Sequence, residues 1–348
     1  MRLNFRPYTL HFAYTWSISS SIAGGGKTSS GVVFAELEGK NGLLGIGEAA
    51  PSIRYNETSE TVLSFLASVD PSRLSFDGVE ASMAYLDKVA PNNFAAKTAI
   101  NLALLDGAAK KAGQPVFDFL KLGFTEQRHV TSFSIGIDRR EVIEKKVLAA
   151  HEYPVLKLKV GGPGDKAIMQ VVREMVPEKR IRVDANEAWL TKERALSEIE
   201  ALANHGKIEF VEQPMPATIP ASSWEWLRER SPLPLFADES YRHANDLSRC
   251  VDCFDGVNVK LVKTGGITGG LEALSAARRI GLKTMLGCMA ESSLLISAAA
   301  HLAELADYLD LDGNLLIAND PYRGVNVRDG VMSFANAEES VGLRVRAA

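Results

Sequence analysis

Residues 155–161 read Val155-Leu156-Lys157-Leu158-Lys159-Val160-Gly161. Apolar neighbours and the glycine- and proline-rich turn through Gly164 make this a short buried strand. Side chains alternate faces along a strand, so Lys157 and Lys159 point the same way. Two ammonium groups are too costly to bury in an apolar core, so this strand end faces a polar cavity or water. In a cavity, a desolvated lysine beside another cation loses proton affinity and becomes a usable base. On an exposed edge strand the two lysines are simply solvated. The stretch alone leaves both readings open.

The sequence on either side narrows the choice. From Val130 onward short apolar strands alternate with helical stretches, beginning with a strand over Thr131–Ile137. Later strands end near Lys159, Asp184, Glu212, Asp238, Lys260, Gly287 and Asp312, at nearly even intervals. Regular βα spacing predicts parallel strands with helices outside, and eight strands suit a β/α barrel. Residues before this region read differently. Strands are expected over Gly31–Glu38 and Gly45–Glu48, with helices over Glu57–Val69, capped by Asn56, and Ala95–Ala112. The Ser- and Gly-rich stretch Ser19–Gly31 reads as a mobile or ligand-shaped loop carrying Lys27. A hairpin with an Asp329-Gly330 turn is expected over Gly324–Phe334. The expected organisation is an α+β capping domain over 1–125, a barrel over 126–320, and a segment over 321–348 that packs back on the cap.

The 348 residues are 46% hydrophobic with a net charge of −4, enough apolar content for a full core. No long basic run points to nucleic acid, and no apolar run approaches membrane-spanning length. The N-terminal residues are interrupted by Arg2, Arg6 and Pro7 and lack a signal-peptide core, so a cytoplasmic protein is expected. Cys250, Cys253 and Cys288 read as reduced packing residues.

In a β/α barrel, enzymatic groups gather at the C-terminal strand ends, and here those ends are charged. Val183-Asp184-Ala185-Asn186, Val211-Glu212-Gln213-Pro214 and Ala237-Asp238-Glu239-Ser240 close three successive strands. Neighbouring strands lie about 4.8 Å apart, so their three carboxylates converge and repel unless protonated or bridged by a cation. An oxygen-only set without histidine suits Mg²⁺. Lys260 ends the sixth strand, across the barrel from Lys159; Lys263 falls beyond that strand and reads as a loop residue. Asp310 and Asp312 share one face of the last strand. Two rival motifs fail. Gly26-Lys27-Thr28 lacks the earlier glycine of a phosphate loop and precedes a strand. The G-x-G-x-x-A of Gly162–Ala167 follows a strand that carries two lysines, unlike a dinucleotide strand.

Together the K-x-K of Lys157 and Lys159, V-D-A-N at 183–186, E-Q-P at 212–214, A-D-E-S at 237–240 and N-x-K ending at Lys260 resemble the enolase superfamily, in its muconate-lactonizing-enzyme subgroup. The resemblance implies a modified (β/α)7β TIM-type barrel beneath an N-terminal α+β capping domain. It implies Mg²⁺ on Asp184, Glu212 and Asp238, and Lys159 and Lys260 as acid/base catalysts, with Lys157 lowering the pKa of Lys159. D-L-D-G at 310–313 and the stretch Gly287–Ser292, which contains Glu291, look like a dipeptide epimerase. That likeness implies Asp310 and Asp312 on the substrate ammonium, and extends to L-Ala-D/L-Glu epimerases that recycle cell-wall peptides. Ser134 and Glu291 are further substrate-binding candidates, and Lys27 is the candidate partner of an acidic side chain. Asn186 is a supporting residue, and Glu239 is expected to orient Lys260. The expected partner is thus a small dipeptide, with homo-oligomerisation left open. Alternatives on the same scaffold are cycloisomerisation, o-succinylbenzoate synthesis and N-succinylamino acid racemisation. A Schiff-base aldolase on Lys260 and a non-catalytic ligand-binding barrel are readings of other classes.

Overall fold

A computed structural model describes residues 1–348. Three antiparallel strands open the chain: β1 (Arg2–Trp16), β2 (Lys27–Glu38) and β3 (Leu44–Ala49). β2 therefore starts four residues before the expected Gly31, and Lys27 is its first residue, opposite Trp16. Ser19–Gly24 forms a 3-10 turn between the two strands.

Helices α1 (Ser59–Ser68), α2 (Val79–Val89) and α3 (Phe94–Lys111) follow. The cap of α1 is Thr58, which exchanges hydrogen bonds with Thr61. Asn56, the residue expected there, is left-handed (φ 59°) and closes the preceding turn instead. α3 is buried from Ala95 to Ala109 because it runs between the cap sheet and the barrel. Gly45 and Gly47 permit that approach. A Cβ at either would stand 2.0 Å from the carbonyl oxygen of Ala103 or Ala99, respectively. Toward the barrel, Thr98 Oγ1 donates to Leu261 O at 2.9 Å and Asn101 Nδ2 to Thr268 Oγ1 at 2.7 Å.

The barrel strands are β4 (Phe133–Ile135), β5 (Val155–Lys159), β6 (Arg180–Asp184), β7 (Ile208–Glu212), β8 (Leu235–Ala237), β9 (Gly256–Lys260), β10 (Lys283–Gly287) and β11 (Tyr308–Asp310). Each pairs in parallel with the next, and a parallel bridge between Thr131 and Leu309 joins the last to the first. Helices lie outside between successive strands; only a 3-10 turn, Gly313–Leu316, follows β11, as (β/α)7β requires. Phe210, Phe236, Met285 and Tyr308 plug the barrel interior, with Phe210 and Phe236 stacked at 4.2 Å. The register sets the site. Lys159 stands opposite Asp184, Asp184 opposite Glu212, and Gly287 opposite both Lys260 and Asp310.

Beyond the barrel, β12 (Tyr322–Arg323) pairs with β15 (Arg346–Ala347). β13 (Asn326–Arg328) and β14 (Val331–Ser333) form a hairpin, with Asp329 and Gly330 at positive φ in its turn. This segment touches α3, where Leu343 N–H donates to Asp106 Oδ1 at 2.8 Å, and lays Tyr322 edge-on to Phe34.

Candidate active site

A cavity of about 570 Å³ lies between the C-terminal strand ends and the cap. Lys157, Lys159, Asp238, Lys260, Asp310, Asp312, Ser134, Asn186 and Glu239 line it from the barrel, and Lys27, Arg54 and Tyr55 from the cap. Glu291, expected here, lies outside the lining. It is buried behind the loop, where its Oε1 accepts the Met289 N–H at 2.9 Å.

Asp184, Glu212 and Asp238 are buried, and one oxygen from each lies within 4.8 Å of the others. Asp184 Oδ1 is fixed by the Asn186 N–H (2.9 Å) and Glu212 Oε1 by Asn258 Nδ2 (2.7 Å). Lysines meet the remaining oxygens. Lys159 Nζ donates to Asp184 Oδ2 (2.6 Å) and Lys260 Nζ to Asp238 Oδ2 (2.9 Å), while Lys157 Nζ lies 2.7 Å from Glu212 Oε2. Burial works to raise the Asp238 pKa, but Lys260 and Lys263 outweigh it and hold the carboxyl well below its usual range. For Glu212, burial and the neighbouring Asp184 charge win, and its pKa is raised. Three converging buried carboxylates, with Asn186 Oδ1 and Glu239 Oε2 buried nearby without a hydrogen-bond partner, fit a hard divalent cation.

Further expectations need correction. Lys263 is no solvated loop residue. It lies in a helical turn after β9, 1% exposed, and donates to Asp238 Oδ1 (2.7 Å), Asp238 O (2.9 Å), Tyr241 O (2.7 Å) and Asn258 O (2.9 Å). Glu239 does not orient Lys260. Asp238 takes that ammonium, and Glu239, next along the chain, turns to Asn186 Nδ2 at 3.3 Å. Lys157 is itself held by carboxylates. It donates to Asp310 Oδ2 at 2.6 Å, and although burial opposes its charge, Asp310, Glu212 and Asp184 hold its proton well above the usual lysine range. Finally, β11 ends at Asp310, which places Asp312 in the following turn. Cys250 and Cys253 are buried packing residues, but Cys288 lines the cavity with its Sγ 3.9 Å from Asp312 Oδ1. The glycines after β5 are also occupied: Asp165 accepts the N–H groups of Gly161 (2.6 Å) and Gly162 (3.1 Å), filling the place a phosphate would need.

Two contributions were missed in the sequence. Asn258 was within reach, since alternation puts it on the same face of β9 as Lys260. The Arg54–Glu187 pair, 2.7 and 2.9 Å through Nη2 and Nε, clamps the cap loop to the barrel across 133 residues and has no local signal.

Lys159 and Lys260 end the second and sixth strands of the barrel, on opposite sides of the cavity, with the carboxylates between them. Such a site can hold a carboxylate on a cation and present an ammonium to each face of the adjacent carbon. Comparison with known proteins agrees. Residues 10–121 match the mandelate racemase / muconate lactonizing enzyme N-terminal domain, and residues 140–331 the enolase C-terminal domain-like family. The chain is 58% identical, over 100% of both sequences, to the L-Ala-D/L-amino acid epimerase of Pedosphaera parvula. The substrate-liganded L-Ala-D/L-Glu epimerase of Bacillus subtilis has the same fold, with TM-score 0.91 and 25% identity over 100% of this chain and 99% of that one. The dipeptide epimerase of Cytophaga hutchinsonii, complexed with Mg and D-Ala-L-Val, matches with TM-score 0.88 and 26% identity over 99% and 95%. No helix is long and apolar enough to cross a membrane. Cap, barrel and carboxylate-lysine site together make the chain a member of the mandelate racemase / muconate lactonizing enzyme family of the enolase superfamily.

Proposed function

We propose that this protein is a Mg²⁺-dependent dipeptide epimerase that moves the α-proton of the C-terminal residue. The observation that carries the reading is the opposed pair Lys159 and Lys260 across one carboxylate cluster. Asp184, Glu212 and Asp238 would hold Mg²⁺, which when bound offsets the second negative charge that builds on the substrate carboxylate as the proton leaves. One lysine removes the proton from one face and the other returns a proton to the opposite face, which inverts the centre. Lys157, anchored on three carboxylates, keeps positive charge beneath the reacting carboxylate. The cavity end at Asp310 and Asp312 receives the substrate ammonium, with Ser134 beside it.

For the C-terminal side chain, Lys27 is the exposed cation in the cavity wall contributed by β2, and the structure gives it no ion pair. An acidic side chain would pair with it, which favours L-Ala-L-Glu and L-Ala-D-Glu. The Pedosphaera relative, named for L-Ala-D/L-amino acid epimerisation, supports the reaction class and L-Ala as first residue.

The test is incubation of the Mg²⁺-loaded protein with a dipeptide panel in D₂O, read by mass spectrometry and chiral chromatography. One deuterium should enter the C-terminal α-position of L-Ala dipeptides, with both epimers recovered. No deuterium in any dipeptide would refute the reading, and turnover of N-succinylamino acids alone would transfer it to the racemase alternative.

A further inference from the structure

The loop after β10 runs from Cys288 to Ser292 and reaches Lys260 through one side chain. Met289 Sδ lies 3.9 Å from Lys260 Nζ, and both residues line the cavity. The other contact of that ammonium is Asp238 Oδ2 at 2.9 Å, in the carboxylate cluster. Asp238 and Met289, from two different loops, thus confine the end of a flexible four-carbon stem. Lys159 has no such arrangement. It meets Asp184 at 2.6 Å and makes no bond to residues 288–292.

Three features fix the loop. Glu291 Oε1 accepts the Met289 N–H at 2.9 Å, which folds the loop back on itself. Gly313 packs against it, and a Cβ there would stand 2.5 Å from Met289 O and 3.1 Å from Glu291 N. Glu48, buried on β3 of the cap, accepts the N–H groups of Ser292 (3.0 Å) and Leu295 (3.2 Å) together with the Ser292 hydroxyl. Of the two carboxyl groups only that of Glu291 bonds to Met289. Glu291 is 2% exposed, makes no ion pair and lies outside the cavity lining. Burial pushes its pKa up to about 8, against the Met289 N–H, so at neutral pH it is an uncharged acid that still accepts through its carbonyl oxygen. An apolar side chain would fill the same space at less cost, but it would not hold the Met289 N–H.

We propose that Glu291 is a positioning residue for Lys260: it fixes Met289, and Met289 seats the lysine. This rests on the two-lysine epimerase reading and distinguishes the two faces of the reaction, because only one of the lysines depends on the loop. Proton transfer is sensitive to such placement, since a displacement of about 1 Å costs on the order of a hundredfold in rate.

The experiment measures the initial rate of α-deuterium entry into L-Ala-L-Glu and into L-Ala-D-Glu separately, in D₂O with Mg²⁺-loaded protein. The epimer served by Lys260 is the one that the Lys260→Ala protein no longer exchanges. The readout is the rate for that epimer divided by the rate for the other, which cancels any difference in folded fraction. Glu291→Leu should lower this ratio about tenfold to a hundredfold, through kcat with KM unchanged. Glu291→Gln, whose amide oxygen replaces the acceptor, should return it close to the wild-type value. Met289→Ala removes the seat itself and should lower the ratio likewise, and it reads the same dependence if Glu291→Leu does not fold. An unchanged ratio in these two variants, including an equal loss on both epimers, would overturn the proposal, as would a Gln variant as impaired as the Leu one. Either result, with a wild type that exchanges both epimers, leaves the epimerase reading standing. A wild type that exchanges neither overturns both.

Discussion

Lys263 offers the sharpest test of how the carboxylate cluster is supported. Replacing it with Met keeps the apolar stem and removes the ammonium. Its three N–H donors, shared among four acceptors, are lost at once: Asp238 Oδ1 at 2.7 Å and the carbonyls of Asp238, Tyr241 and Asn258 at 2.9, 2.7 and 2.9 Å. Breaking a buried ion pair from one side costs about 3–5 kcal/mol, because the other charge stays buried and under-compensated. Asp238 retains Lys260, and its carbonyl still accepts the Tyr241 N–H at 3.1 Å, which softens the loss, but the Tyr241 and Asn258 carbonyls each lose a buried donor, which adds to it. The expected destabilisation is therefore about 3–5 kcal/mol, a large part of the roughly 5–15 kcal/mol that holds a typical protein folded. Urea denaturation of both proteins in chelator reads this directly. The double variant Lys263→Met with Asp238→Asn should lose less than the sum of the singles by roughly 1–3 kcal/mol, since the stranded charge is gone. A loss within about 0.5 kcal/mol of zero, as for a surface lysine, would refute the role assigned to Lys263.

Other consequences are as direct. Chelation should abolish epimerisation and Mg²⁺ should restore it; full turnover in metal-free protein would contradict the role given to Asp184, Glu212 and Asp238. Lys27→Ala should lower kcat/KM for L-Ala-L-Glu about tenfold to a hundredfold relative to a dipeptide with an apolar C-terminal residue. Equal losses on the two would leave Lys27 a solvated residue. His301 is fully buried, and its Nδ1 accepts the Phe117 N–H at 3.1 Å. Burial lowers its pKa from 6.5 to about 3, so between those values the unfolded chain holds a proton the folded one lacks, and stability falls as pH falls. From pH 7 to pH 5 this amounts to about 2 kcal/mol. His301→Gln should lose that much less than wild type over the same step; identical pH profiles in urea denaturation would rule the histidine out.

What the sequence made legible is what regular geometry carries. Alternation places Lys157 and Lys159 on one face, and near-even βα spacing brings Asp184, Glu212 and Asp238 to one end of a parallel barrel. The cap was readable in outline, though α2 left no clear pattern, and Asn56 and Thr58 are both plausible caps until backbone conformation separates them. Side-chain partners were the hard part. Lys263 lies three residues past a strand end, and only the helical turn that follows brings it back under Asp238. Asp310 and Asp312 look equivalent in a motif, yet β11 ends between them, and Ser132 and Lys157 arrive from distant strands to claim only the first. Glu239 faces Asn186 because Asp238 has already taken Lys260.

The claim on which the account depends is that Lys159 and Lys260 serve opposite faces of one carbon. Its most direct measurement is α-proton exchange of each separate epimer of Ala-Glu in D₂O, with folded Lys159→Ala and Lys260→Ala proteins. Neither variant should epimerise, and each should retain exchange on one epimer only, the two variants retaining opposite epimers. Epimerisation at the wild-type rate in either variant, or exchange of the same epimer by both, would contradict the two-base account.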